Sequence, residues 1–251
     1  MTYCLAIAVA KGLVFASDSR TNAGVDQVST YSKMHIFGRD GERQIVLLSA
    51  GNLATTQAVV ARIERDIREG AESTLMSVPN LEAAAEYVGQ ILQAQDERHG
   101  AAVTAAGINA EATFIIGGQI IGGRTRIYLV YPQGNYITTS KETPFLQVGE
   151  TKYGKAILDR VIHGPTSLDD AALCALVSMD STIRSNASVG PPIEILSYEK
   201  DSLRIDHYFR LDEADSYMIE IKRAWNDSLL AAFKNLPRFA WSDLKSKSDS
   251  E

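Results

Sequence analysis

Thr2, Asp18, Lys33 and Gly51 are the residues of this chain whose types and order could do chemistry. Thr2 stands directly behind Met1, and removal of Met1, usual before a small residue, would leave it with a hydroxyl and a free α-amine. Such an amine titrates at about 7.7–8.0, close enough to neutrality to take the proton of its own hydroxyl. A threonine carrying its own N-terminal amine is an activated nucleophile for acyl transfer. Lys33, in "YSKMHIF", would disfavour protonation of that amine, and Asp18, in "SDSR", would hold the lysine charged and in place. Gly51, in "SAGN", stands where a strand turns into a helix. Glycine there lets a backbone N–H come close to a ligand at a helix N-terminus, where donors and dipole favour the charge of an oxyanion. One at a time these residues are ordinary: a strand-end acid, a solvated lysine, a helix-entry glycine. Their order on a chain that opens with β-rich runs makes them a candidate set.

The elements that must position them begin with a hairpin. Residues 3–9 (YCLAIAV) and 13–18 (LVFASD) are strands around a loop of Ala10, Lys11 and Gly12. With a three-residue loop Val9 pairs Leu13, Cys4 faces Asp18, and Thr2 and Asp18 become diagonal neighbours on one face, about 7–8 Å apart at the backbone. That face carries the small residues Cys4, Ala6, Ala8 and Ala16, with Val14; the other carries Tyr3, Leu5, Ile7, Val9, Leu13 and Phe15. Both faces are apolar, so both are expected to be covered, as in a sandwich interior.

Short strands follow around 34–37 and 44–50, and a helix opens at Gly51-Asn52. Its apolar stripe is Leu53, Thr56, Val60, Ile63 and Ile67, with Arg62–Asp66 and Glu64–Arg68 as i,i+4 pairs, and Gly70 ends it. A second helix starts after the N-cap Asn80 and stops before Gly100. Strands return at 112–121, 125–131 and 144–148, then helices at about 152–162 and from Ser167 to about 186, then strands at 193–198 and 203–210. Blocks of strands alternating with paired helices do not read as a parallel α/β fold; they predict two stacked antiparallel sheets flanked by helices, an α+β four-layer αββα sandwich over residues 1–211. Residues 212–251 read as a C-terminal helical extension with an apolar stripe from Tyr217 to Phe233, as apt to bind a neighbouring subunit as to pack within the chain, and a polar tail without order.

Composition excludes several classes. A net charge of −6 offers no general attraction to nucleic acid, and no apolar run reaches the ~20 residues of a membrane span. Residues 5–9 lack the basic flank and length of a secretory signal, and two cysteines make no disulfide framework, so a cytoplasmic location is expected. His35, His99, His163 and His207 lack ligand spacing, "GGQIIGG" lacks the Lys-Ser/Thr of a phosphate loop, and no G-x-S-x-G occurs; no cofactor or metal is expected. Cys4 reads as a small buried hydrophobe.

Thr2 at a mature N-terminus, "SDSR" (17–20), "SKMHIF" (32–37) and "LSAGNLA" (48–54) together resemble the proteasome β-subunits of the N-terminal-nucleophile hydrolases. The longer wording "LVFASDSRTNAG" and "SAGNLATTQAV" is most similar to their bacterial Anbu branch, called ancestral β-subunits, and the likeness extends over most of the chain, about 2–210, with an Anbu-like C-terminal extension. The resemblance implies a threonine peptidase subunit in a homo-oligomeric ring or open, ring-like helix, acting on peptide or unfolded protein. Thr2 would be the nucleophile, Lys33 would tune its basicity, Asp18 would pair with Lys33 and Gly51 would bind the oxyanion. Ser49 would fall beside the specificity pocket and Asn22 on the edge where a substrate strand pairs. Two departures stand out. The Gly-Ser-Gly turn of these subunits reads "VGETKYG" (148–154) here, with Gly149 or Glu150 at the Ser position, and the later Asp-x-x-Ser is absent, Asp180 lying too early with Ser185 and Ser188 in its place. The departures keep open a small-amide hydrolase or a non-catalytic peptide-binding scaffold of the same fold.

Overall fold

The computed structural model describes residues 2–22 and 28–239. In chain order the elements are β1 (Tyr3–Val9), β2 (Gly12–Asp18), β3 (Arg20–Asn22), β4 (Val28–Thr30), β5 (Met34–Arg39), β6 (Arg43–Gly51), α1 (Leu53–Glu69) and α2 (Leu81–Gln95). A π-helical turn at Asp96–Gly100 leads into α3 (Ala101–Ala105), followed by β7 (Ala112–Ile120), β8 (Arg126–Val130), β9 (Tyr136–Thr138) and β10 (Phe145–Gly149). The chain continues with α4 (Thr151–Val161), α5 (Leu168–Ser185), β11 (Ile193–Glu199), β12 (His207–Leu211) and α6 (Ser216–Lys234).

Two five-stranded antiparallel sheets carry the fold, β10-β1-β2-β11-β12 and β5-β6-β7-β8-β9, with a small β3-β4 ribbon beside them. The α+β four-layer sandwich is therefore present. Between the sheets, Cys4, Ala6, Leu13 and Phe15 meet Val46, Leu48, Ile115 and Ile127. On the outer face of the second sheet, Ile45, Leu47, Phe114 and Ile116 pack with Val59 and Ile63 of α1 and Val88 and Ile91 of α2. Outside the first sheet Tyr3 reaches α5, where its hydroxyl meets Ser178 Oγ at 2.7 Å. Burial of this apolar surface is the main favourable term in folding.

Helix starts follow local chemistry. The Asn52 side chain accepts the Thr55 N–H, Asn80 that of Ala83, and Ser167 that of Asp170, each satisfying a donor that the first turn leaves open. Gly70 ends α1 in the left-handed conformation, at φ 66°.

Four expectations are corrected. The hairpin loop has two residues, because Gly12 is a strand residue paired with Val9. At φ 154° its missing Cβ lets Tyr198 O of β11 come within 2.0 Å of the position a side chain would need. The ladder therefore sets Cys4 opposite Ser17, and the small Cys4 and Ala6 share a face with the large Leu13 and Phe15, not with Val14 and Ala16. Second, Gly100 does not mark the end of helical structure: α2 itself ends at Gln95, before Gly100, but the chain stays helical through the π turn into α3, and Gly100 lacks the Cβ that would meet Asp96 Oδ1 at 2.2 Å. Third, β12 begins at His207, since Asp201 and Leu203 take positive φ in a turn held by Gln119 and the Tyr198 hydroxyl. Fourth, the three-residue strands β3, β4 and β9 were not foreseen; they are too short to carry a pattern.

The chain divides into two compact units, one ending at Asp215 and one starting at Ser216. Within the second, α6 exposes Tyr217, Ile219, Leu229, Leu230 and Phe233. Among the described residues no helix is long and apolar enough to cross a membrane.

Candidate active site

Asp18 closes β2, and its side chain is fully buried. A buried carboxylate must be paired or hydrogen-bonded to stay ionised, and this one takes three donors. Lys33 Nζ donates to Oδ1 at 2.6 Å, the Tyr3 N–H to Oδ1 at 3.0 Å, and the Gly190 N–H to Oδ2 at 3.2 Å. The acid thus reaches the start of β1 through the strand end and backbone N–H of Tyr3. The diagonal, same-face approach to Thr2 is corrected with the register: the observed ladder ends at Cys4 opposite Ser17, and Asp18, the next residue of β2, alternates to the face away from Cys4. Burial pushes the Asp18 carboxyl above the usual carboxylate range, and the Lys33 ammonium and the two N–H donors oppose that.

Lys33 sits just before β5, with its side chain 8% exposed, and also donates to Arg20 O at 2.6 Å. Its own carbonyl accepts the Ser49 N–H of β6 at 2.9 Å, which registers the lysine against the strand that ends at Gly51. Nothing in the sequence announced Arg20 O or the Gly190 N–H as partners, because backbone groups leave no residue-type signal.

Gly51 ends β6 at φ 110°, where a Cβ would stand 2.4 Å from Glu111 O and 2.9 Å from Ala112 Cα. Only glycine fits both that conformation and that approach. Thr2, Lys33, Ser49 and Gly51 line one cavity of about 800 Å³. Its far wall is one face of α1 (Leu53, Thr56, Gln57, Val60, Ala61 and Glu64), completed by Thr21, Tyr31 and His35. The α1 residues recur at helical spacing, yet the sequence reads that stripe as core alone. Burial lowers the pKa of His35, while Glu194 and Glu64 raise it. The Asn22 side chain lies outside the described residues, although its backbone pairs with Val28.

Thr2 is fixed from the other side by "VGETKYG". The Glu150 N–H donates to Thr2 O at 2.8 Å, and Gly149, at φ 84°, has its would-be Cβ only 1.9 Å from the same oxygen. A hydroxyl cannot be restored at 149 without moving Thr2. Gly149→Ser is therefore expected to lower the reactivity of Thr2 by at least about tenfold and to destabilise the fold by about 1–3 kcal/mol, while Glu150→Ser is tolerated; thermal melts and the rate of covalent modification of Thr2 check both.

Cys4 is fully buried, its Sγ 3.6 Å from Ser49 O, and burial pushes its thiol far up, so it is not a thiolate nucleophile. Among the described residues no group of three or more His, Cys, Asp or Glu comes together to hold a metal ion.

Comparison with known proteins follows this geometry. The proteasome subunit family matches residues 2–197. Among solved structures, Anbu (ancestral beta-subunit) from Yersinia bercovieri is 43% identical with a TM-score of 0.89, over 95% of this chain and 100% of that one. The helical assembly of the Anbu complex from Pseudomonas aeruginosa is 44% identical with a TM-score of 0.89, over 96% and 99%. Anbu from Hyphomicrobium sp. strain MC1 is 43% identical with a TM-score of 0.86, over 95% and 100%. A search of curated proteins gives no match.

Proposed function

Because this chain belongs to the proteasome subunit family, we propose that it is a threonine-type peptidase subunit whose nucleophile is Thr2, freed by removal of Met1. The observation that carries this reading is the buried Asp18–Lys33 ion pair, in which Asp18 accepts the N–H of Tyr3 and Lys33 lines one cavity with Thr2. In the reaction Thr2 Oγ attacks the peptide carbonyl while the α-amine takes the hydroxyl proton. Lys33, held by Asp18, keeps that amine a free base, and the Gly51 N–H receives the oxyanion. The ammonium then gives its proton to the leaving amine as the C–N bond breaks, leaving a threonine ester. Water, deprotonated by the same amine, hydrolyses the ester and restores the enzyme. The cavity beside Thr2 takes the side chain preceding the cut bond, with Ser49 at its edge.

The Pseudomonas relative is described as a helical assembly, and this chain is proposed to associate likewise with copies of itself, the exposed apolar residues of α6 serving contacts between subunits. A cytoplasmic location and peptide or unfolded protein as substrate belong to the same reading.

The test is intact mass followed by labelling. Loss of Met1 and acylation of Thr2 by a β-lactone, followed by turnover of a peptide library, is the expected result. Retention of Met1 overturns the mechanism in favour of a scaffold of the same fold. Acylation without peptide turnover points to hydrolysis of small amides.

A further inference from the structure

Among the buried charged groups that the mechanism above does not use, Glu194 touches the Asp18–Lys33 pair through the residues next to each. Glu194, in β11, is 3% exposed, and its side-chain partners among the described residues are three hydroxyls. Ser32 Oγ lies 2.8 Å from Oε2 and 3.0 Å from Oε1, Ser19 Oγ lies 3.2 Å from Oε2, and the Tyr208 hydroxyl of β12 donates to Oε1. Ser19 directly follows Asp18, and Ser32 directly precedes Lys33. One carboxylate therefore grips both segments that deliver the ion pair, from a strand hydrogen-bonded to the one that ends at Asp18.

We propose that Glu194 is a positioning residue: by accepting hydrogen bonds from Ser19 and Ser32 it fixes Asp18 and Lys33 at the spacing in which Lys33 acts on the Thr2 amine. Residue 19 lies between β2 and β3 and residues 31–33 between β4 and β5, where single backbone bonds (Tyr31 N–H to Ser19 O at 2.9 Å, Ser49 N–H to Lys33 O at 2.9 Å) replace a continuous ladder, and Glu194 adds a side-chain tie to each segment. A buried acceptor shared between two such segments costs more to break than a surface contact, because the carboxylate is left short of donors. The third donor stays available: burial and the bond to Glu194 push the Tyr208 phenol up to about 12, so it remains protonated. Other groups that sense this carboxylate or its surroundings are Asp18 and Lys33, His35 on β5, Cys4 on β1, and Arg210 through Tyr208.

This inference rests on the peptidase reading, and the experiment separates the two. A Ser19→Ala, Ser32→Ala double variant keeps the Glu194 charge and cuts both ties, together with the bonds of Ser32 Oγ to the Met34 backbone. Ser19→Ala alone cuts one tie, leaves Met34 untouched and is expected to move the amine pKa and kinact in the same direction by less. Tyr208→Phe removes the donor that touches neither segment. The full chain is measured for thermal midpoint, for the Thr2 amine pKa by competitive acylation across pH, and for kinact and KI of a β-lactone. Expected for the double variant are kinact about tenfold lower with KI within twofold, and an amine pKa about half a unit higher, since Lys33 no longer bears on it as closely. Tyr208→Phe is expected to leave the amine pKa in place and to lower kinact less than threefold. Wild-type amine pKa and kinact in the double variant overturn the proposal, as do equal losses in it and in Tyr208→Phe, which mark a packing effect only. If the double variant does not fold, Ser32→Ala alone carries the test with the same signs. A wild-type chain inert to the lactone sinks the peptidase reading, and the amine pKa still decides the role of Glu194.

Discussion

Thr2→Ala will fold as the wild type does and will lose lactone labelling and peptide turnover together, by at least about 10⁴-fold. The size follows from the role: without the hydroxyl there is no acyl intermediate, and the remaining groups cannot take over the attack. Stability is expected to stay within about 1 kcal/mol, because Thr2 is only half-buried and the Glu150 N–H holds it through its backbone oxygen, which alanine keeps. Thr2→Ser retains the hydroxyl and should retain labelling. Cleavage of a fluorogenic peptide library, mass shift after lactone treatment and a thermal melt check the three statements. Undiminished turnover in Thr2→Ala would move the chemistry elsewhere in the chain.

Lys33→Met will lower the labelling rate by about 10²–10³-fold, the scale of a positioned acid–base group. Here the fold suffers as well. Methionine fills the lysine's volume but leaves Asp18 buried with only the Tyr3 and Gly190 N–H groups as donors, at a cost of about 1–3 kcal/mol at neutral pH. The sign of the pH dependence follows. Burial already holds the Asp18 carboxyl above its usual range, and removing Lys33 raises it further. A carboxyl whose folded pKa exceeds its unfolded one makes the folded state bind more protons between the two values, so stability falls as pH rises through the folded pKa. The gap between Lys33→Met and wild type should therefore be widest at neutral pH and narrow on acidification; denaturant melts across that range measure it. In the wild type the same elevation means that the ion pair is lost at a higher pH than an exposed carboxylate would allow. The labelling rate should fall on the acid side from above the ordinary carboxylate range, a descent steeper than the α-amine alone produces.

Much of this was open to reading from the chain. Periodicity and caps located the long helices, because Asn52, Asn80, Ser167 and Gly70 act within one turn of themselves. The grouping of strands into blocks between helix pairs pointed to stacked antiparallel sheets, and the two sheets are there. Thr2, Asp18, Lys33 and Gly51 could be picked out because each needs a particular residue type, and Thr2, Lys33 and Gly51 line one cavity while Asp18 pairs with Lys33 from behind its wall.

What the sequence determined by itself was residue type and local structure: which side chains can attack, pair or turn, and where a helix starts. Only the tertiary structure decided register and partnership. By type Gly12 fits a loop, but it is a strand residue whose missing Cβ leaves room for Tyr198 O, and that one-residue difference puts Asp18 on the face away from Cys4. Arg20 O, the Gly190 N–H and Glu194 joined the site for the same reason. Hydrogen bonds and close backbone approaches between segments distant in sequence depend on how strands are stacked, and no local pattern of side chains records them.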